Sequence, residues 1–178
     1  MSIPNYLTLL RILLTPVFFI ALISYGPGKE HLRLFALWIF VVASLTDALD
    51  GLLARFLKQR TALGQRLDPL ADKILLLSGF IGLFFVNALP YRPPLWITIT
   101  IIFRDVFLLV GFFSLNFMAV KLEVVPNRWG KLTTASQMVL LCFILLEWPL
   151  AKPLAYLTAF FTIVSGVIYI SKGLKVTE

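Results

Sequence analysis

Long apolar runs separated by short polar gaps fill the whole chain, and no stretch is left over for a soluble domain. Six runs lie at Tyr6–Ser24, Leu34–Arg55, Asp68–Leu89, Leu95–Met118, Lys131–Trp148 and Pro153–Ser171. Each is close to the ~20 residues that a helix needs to cross hydrocarbon. Pro27, Pro90, Pro93, Pro94, Pro126 and Pro149 fall in the gaps, where a missing N–H does no harm, while Pro16 falls inside the first run and can kink it. The pattern predicts an all-α fold: one polytopic membrane domain over residues 1–178 with six transmembrane helices.

Composition agrees, with 60% hydrophobic residues and a mean hydropathy of +0.93, far above soluble norms. The net charge of +7 is spread over short loops instead of being gathered into one stripe. That speaks against nucleic acid and for membrane lipids or phosphate-bearing substrates. With the N-terminus inside, the cytoplasmic segments carry eleven basic residues: Arg11, Arg55, Lys58, Arg60, Arg66, Lys73, Lys121, Arg128, Lys131, Lys172 and Lys175. The opposite face carries four, Lys29, Arg33, Arg92 and Lys152, and both termini are therefore expected in the cytoplasm. The first run lacks the basic flank and cleavage site of a signal peptide and is expected to be a retained span. Most tryptophans and tyrosines fall near run ends, as interfacial anchors do. Cys142, the sole cysteine, reads as a packing residue, and His31, the sole histidine, as a solvated one. Ala155/Ala159 and Thr158/Thr162/Gly166 set small residues four apart on the last run, which suits packing within the chain or a dimer seam.

Five of the nine acidic residues, Asp47, Asp50, Asp68, Asp72 and Asp105, fall within or at the ends of apolar runs. One carboxylate at a helix centre costs about 2.5–3.5 kcal/mol on insertion, so such an accumulation demands a cationic partner. Asp47 and Asp50 are three apart and Asp68 and Asp72 four apart, so each pair occupies one helix face. The segment between the pairs is short and basic, which returns the second helix beside the first and brings four carboxylates together at the cytoplasmic interface. Mutual repulsion is relieved by a divalent ion. Oxygen-only ligands, with no Cys or His nearby, suit Mg²⁺ or Mn²⁺, with two ions bridged by shared carboxylates as one arrangement. The plainer alternative pairs these aspartates with Arg55, Lys73 or helix termini.

Written out, this stretch is Asp47-x-x-Asp50-Gly51-x-x-Ala54-Arg55, eight residues, Gly64-x-x-x-Asp68-x-x-x-Asp72. A chance match to eight such positions is on the order of 10⁻¹⁰ per start point at background frequencies. The stretch resembles the signature of the CDP-alcohol phosphatidyltransferases. Gly51, Ala54 and Gly64 leave room for a nucleotide against the backbone, and Arg55 suits a phosphate. The resemblance implies that Asp47, Asp50, Asp68 and Asp72 ligate metal and that Asp72 also deprotonates the acceptor hydroxyl. It further implies that Gly51, Ala54, Arg55 and Gly64 hold the CDP portion of CDP-diacylglycerol. Homodimerisation is implied by the same resemblance.

The opening Ile3-Pro4-Asn5-x-x-Thr8-x-x-Arg11 and the later Gly130-Lys131-x-x-Thr134 look like phosphatidylglycerophosphate synthases and eukaryotic-type cardiolipin synthases. The first acceptor is glycerol-3-phosphate, a small alcohol, and the second is the lipid phosphatidylglycerol. Glycerol-3-phosphate is the preferred reading and implies a bacterial inner membrane protein with its site at the cytoplasmic face. Thr133, where many phosphatidylglycerophosphate synthases carry lysine, and Asp105, where they commonly carry glutamate, lean the other way. An acceptor with its own phosphate needs separate cations, for which Arg104, Lys131 and Arg128 are the candidates; a salt bridge to Asp105 is the alternative for Arg104. A divalent-cation transporter is a distant rival, because it wants acids at mid-membrane depth with a route to both faces.

Overall fold

The computed structural model describes residues 3–56, 62–117 and 128–174, and within them every regular element is an α-helix. The helices are α1 (Ile3–Ile23), α2 (Glu30–Phe56), α3 (Ala62–Phe85), α4 (Leu95–Phe117), α5 (Arg128–Leu145) and α6 (Ala151–Leu174). They cover the six apolar runs with ends shifted by a few residues, and α1 continues through Pro16. Among the described residues one stretch, Ala151–Ser171, is long and apolar enough to cross a membrane, and Thr8–Ile23 is a shorter apolar stretch. The helices form two compact units, residues 1–90 and 91–178.

In the first unit, α1 packs against both α2 and α3. Its buried stripe is Thr8, Arg11, Thr15, Phe18 and Leu22, alternating three and four residues apart so that it stays on one helix face. The matching stripe of α2 is Ala36, Phe40 and Ala43. Phe18 meets Phe40 with ring centroids 5.5 Å apart, and Arg11 meets Ala43, so the two helices run antiparallel. Their connection is a tight turn in which the Lys29 amide donates to the Gly26 carbonyl at 3.0 Å. Pro27 presets the first central position and Gly28 takes a φ of 79° at the second, as a type II turn requires. On α3, Gly82 lies against Phe19 and Leu22; an added Cβ there would sit 2.6 Å from Leu22 Cδ2, so the missing side chain sets the α1–α3 spacing.

In the second unit, α6 packs against α5 and α4. Its small residues Ala155, Thr158, Ala159 and Thr162 are buried within this chain, the packing alternative for that stripe. Thr158 Oγ1 donates to the Ser136 carbonyl at 3.4 Å, and Thr133 Oγ1 donates to the Phe161 carbonyl at 3.0 Å. The end of α5 closes through Glu147 N–H to the Ile144 carbonyl and Trp148 N–H to the Phe143 carbonyl, with Glu147 at a φ of 56° and the Phe143 and Trp148 rings stacked at 5.0 Å. Trp96 and Tyr156 pack nearby at 6.3 Å, so aromatic residues gather at this end of the unit. In the preceding loop, desolvation and then neighbouring Tyr156 raise the pKa of Tyr91, which keeps its phenol protonated at neutral pH.

Large apolar side chains cover the outward faces of all six helices, Leu13, Trp38, Phe85, Phe103, Leu132 and Phe160 among them. Arg11, Arg104, Asp105 and Gln137 are instead enclosed. This distribution is the reverse of that in a protein surrounded by water.

Candidate active site

Among the described residues, the buried polar side chains of the first unit collect at one end of its helices. Thr8, Arg11 and Thr15 on α1 and Thr46 on α2 are buried, and Asp72 on α3 is half-buried with its Oδ1 shielded from solvent. Arg11 Nε donates to the Ala43 carbonyl at 3.3 Å, and Thr46 Oγ1 donates to the same carbonyl at 2.7 Å. Asp47, Asp50, Gly51, Ala54 and Arg55 belong to α2, and Gly64 and Asp68 to α3; their side chains lie outside the described residues.

Backbone register nevertheless relates the aspartates to the stripes. Ala36, Phe40, Ala43, Asp47 and Asp50 continue the alternation of four and three along α2, and Asp68, Asp72, Leu75, Gly79 and Gly82 do so along α3. The acidic positions therefore prolong the faces that pack inside the unit. Short connections between consecutive helices make α3 parallel to α1. Ten residues back from Gly82 is Asp72, and eleven back from its neighbour Leu22 is Arg11, which sets both on one level of the unit.

The second unit holds the cations considered for an acceptor. Arg104 is buried: Nη1 donates to Asp105 Oδ1 at 2.7 Å, and Nη2 donates to Ser165 Oγ at 2.7 Å. Its guanidinium carbon lies 5.8 Å from the centre of the Tyr169 ring. The salt bridge considered for this residue is thus formed, while Nε is buried without a hydrogen-bond partner among the described residues. Gly130 lets this group approach α5, since an added Cβ would lie 3.1 Å from Tyr169 Oη and 3.6 Å from Arg104 Nη2. Arg128 and Lys131, flanking that glycine, are exposed. Arg104 and the Gly130-Lys131 segment are therefore neighbours. Thr133, which interrupts the lysine pattern, is buried and bonded to α6.

Comparison with known proteins bears directly on this arrangement. The family model described as CDP-alcohol phosphatidyltransferase matches residues 1–164. The chain belongs to the CDP-alcohol phosphatidyltransferase family. It is a transferase of phospholipid biosynthesis, from a family of membrane-integral enzymes that generally depend on divalent metal. It is 35% identical over 182 residues to a Mycobacterium tuberculosis protein named "Probable phosphatidylglycerophosphate synthase", covering 98% of this chain and 82% of that one. It is 35% identical over 189 residues to the CDP-diacylglycerol–glycerol-3-phosphate 3-phosphatidyltransferase of Bacillus subtilis, covering 97% and 95% of the two. A human cardiolipin synthase (CMP-forming) is 42% identical over 117 residues, covering 65% of this chain and 36% of that protein.

The donors offered at the acidic end of the first unit fit the metal this family uses. They are carboxylates and hydroxyls, the hard oxygen set that suits Mg²⁺ or Mn²⁺. His31 is exposed in the first turn of α2, about 24 Å along the axis from Asp47 at 1.5 Å per residue. Cys142 belongs to the other unit. Sequence reasoning missed the burial of Arg11, which it counted with the topology charges of the cytoplasmic face; the guanidinium is fully enclosed. The available signal was spacing, because Thr8, Arg11 and Thr15 continue the stripe of Phe18 and Leu22.

Proposed function

We propose that this chain transfers the phosphatidyl group of CDP-diacylglycerol to glycerol-3-phosphate, releasing CMP and forming phosphatidylglycerophosphate. The observation that carries the acceptor is near full-length similarity to the Bacillus subtilis enzyme, whose name specifies glycerol-3-phosphate. The human cardiolipin synthase shares a shorter part of the chain, and with Thr133 and Asp105 it keeps phosphatidylglycerol as the second reading.

Asp47, Asp50, Asp68 and Asp72 would hold two divalent ions, Mg²⁺ or Mn²⁺, which when bound neutralise the pyrophosphate and the charge growing on the leaving phosphate. Gly51, Ala54, Arg55 and Gly64 admit and hold the CDP group. The acceptor hydroxyl oxygen bonds to the lipid-side phosphorus while the bond from that phosphorus to the CMP oxygen breaks. Asp72 takes the hydroxyl proton, as a carboxylate within hydrogen-bond reach of the acceptor can. Arg104, Lys131 and Arg128 receive the acceptor's own phosphate, and Ser165 and Tyr169 orient the first of these.

In this reading all six helices span the bilayer. Support comes from their lengths of 18 to 27 residues and their apolar outward faces. Both termini are cytoplasmic, with the site at the cytoplasmic face of a bacterial inner membrane and acyl chains entering laterally. The whole chain acts as one domain, a reading supported by a family match that runs across both compact units, and it works as a homodimer.

The deciding experiment is CMP release by purified protein with CDP-diacylglycerol and Mg²⁺ or Mn²⁺, each acceptor offered alone. Release with glycerol-3-phosphate supports the proposal. Release only with phosphatidylglycerol assigns the second reading, and absence of release with any alcohol overturns both.

A further inference from the structure

The buried arginine of α1 donates to a backbone carbonyl of α2. Arg11 has no exposed surface, and its Nε reaches the Ala43 carbonyl at 3.3 Å. In a continuous α-helix that carbonyl is the acceptor for the amide four residues on, which is the amide of Asp47. Thr46 Oγ1 adds a further donor to it at 2.7 Å. The turn of α2 that begins the acidic motif is thus tied to α1 by a charged hydrogen bond, and it is braced from within by the residue before Asp47.

Two further details make this tie specific. Thr15 Oγ1 donates to the Arg11 carbonyl at 2.8 Å, so the backbone turn carrying the arginine is held in its own helix. Ala43 is fully buried and has only a methyl group, which lets the guanidinium come close to the α2 backbone. Hydrogen bonds from a charged group are stronger than neutral ones, and more so where water is excluded. A charge enclosed among apolar helices is costly without such a use.

We propose that Arg11 is a positioning residue for the metal-bearing turn: through Ala43 it sets the placement of Asp47 and Asp50 and so the affinity of the carboxylates for divalent metal. This inference rests on the reading that the four aspartates hold metal. It differs from an electrostatic role in sign. A guanidinium acting only as a neighbouring positive charge would repel a cation, and its removal would tighten metal binding. A guanidinium that positions the ligands strengthens binding, and its removal weakens it.

The test is Mn²⁺ titration of the purified full-length protein in detergent, with free Mn²⁺ followed by electron paramagnetic resonance, alongside the Mg²⁺ dependence of CMP release. Arg11→Met removes charge and donor together. Arg11→Lys keeps the charge but not the planar Nε donor and guards against loss of the fold. Both should weaken Mn²⁺ binding by roughly 10-fold or more, the usual consequence of losing an outer partner of metal ligands. The Mg²⁺ concentration for half-maximal CMP release should rise by a similar factor. Thr46→Val, which removes the other side-chain donor from the same carbonyl at nearly constant volume, should weaken binding by a smaller factor. Tighter binding in Arg11→Met, or wild-type affinity in both folded Arg11→Lys and Thr46→Val, overturns the positioning role and leaves the metal site standing. Absence of saturable Mn²⁺ binding by the wild-type protein overturns the metal site and this inference together.

Discussion

Asp72 has one carboxylate oxygen shielded from solvent and shares a level of its unit with a fully enclosed arginine. A carboxylate can accept a proton, and an amide in its place has nearly the same shape with no basicity. Asp72→Asn is therefore expected to lower CMP release by at least about 100-fold, the lower end of a general base's contribution, while leaving melting behaviour in detergent close to wild type. Near-wild-type turnover in a folded Asp72→Asn protein would remove the base role. At Gly82 the decisive property is absence of a side chain. A methyl group would press on Leu22, itself fully buried and unable to swing outward. Gly82→Ala is expected to cost roughly 1–3 kcal/mol, read as an earlier thermal transition. An unchanged transition would mean that α1 and α3 separate freely.

At the scale of the element, each helix carries a buried stripe whose chemistry changes along its length. On α1 it runs from Thr8, Arg11 and Thr15 to Phe18 and Leu22; on α6 it runs from Ala151 and Ala155 to Thr158, Thr162 and Ser165. The alternation of three and four keeps these residues on one face, so a single helix packs apolar groups at one end and presents polar groups at the other. Helix ends show the same economy. The α5–α6 corner needs a left-handed residue, and Glu147 supplies it at a φ of 56°, where an L side chain is strained by about 1–2 kcal/mol. Glu147→Gly should raise the thermal transition, and Glu147→Val, β-branched in the same conformation, should lower it. Equal transitions for the two variants would show that this corner carries no strain.

At the scale of the whole molecule, apolar side chains on the outward faces of the helices, with Arg11, Arg104 and Asp105 enclosed, describe a chain whose solvent is lipid. The proposed orientation, with both termini cytoplasmic, is testable because Cys142 is the sole native cysteine. In a Cys142→Ser background, a maleimide that does not cross membranes should label Lys29→Cys in intact cells. It should reach Ser2→Cys and Thr177→Cys only after permeabilisation. Labelling of Ser2→Cys in intact cells would reverse the orientation, and with it the compartment from which glycerol-3-phosphate is drawn.

Much of this was legible without coordinates. The period of the apolar runs determined six helices because hydrocarbon demands long, internally bonded segments. The gap between the first two helices was marked by Pro27, whose ring fixes the backbone locally. The spacing of Asp47, Asp50, Asp68 and Asp72 pointed to the family, because intervals of three and four set each pair on one helix face. What the sequence left open depended on partners distant in the chain. Whether Arg104 pairs with Asp105 turned on α6 bringing Ser165 and Tyr169 to it, and whether the small residues of α6 pack inside the chain turned on α5 lying against them. Arg11 looked like one basic residue among eleven on the cytoplasmic side. Only the approach of α2, permitted by the bare methyl group of Ala43, turned it into a buried donor to the backbone that carries the first aspartates, because a side chain's environment is set by the helix opposite and not by its own neighbours in sequence.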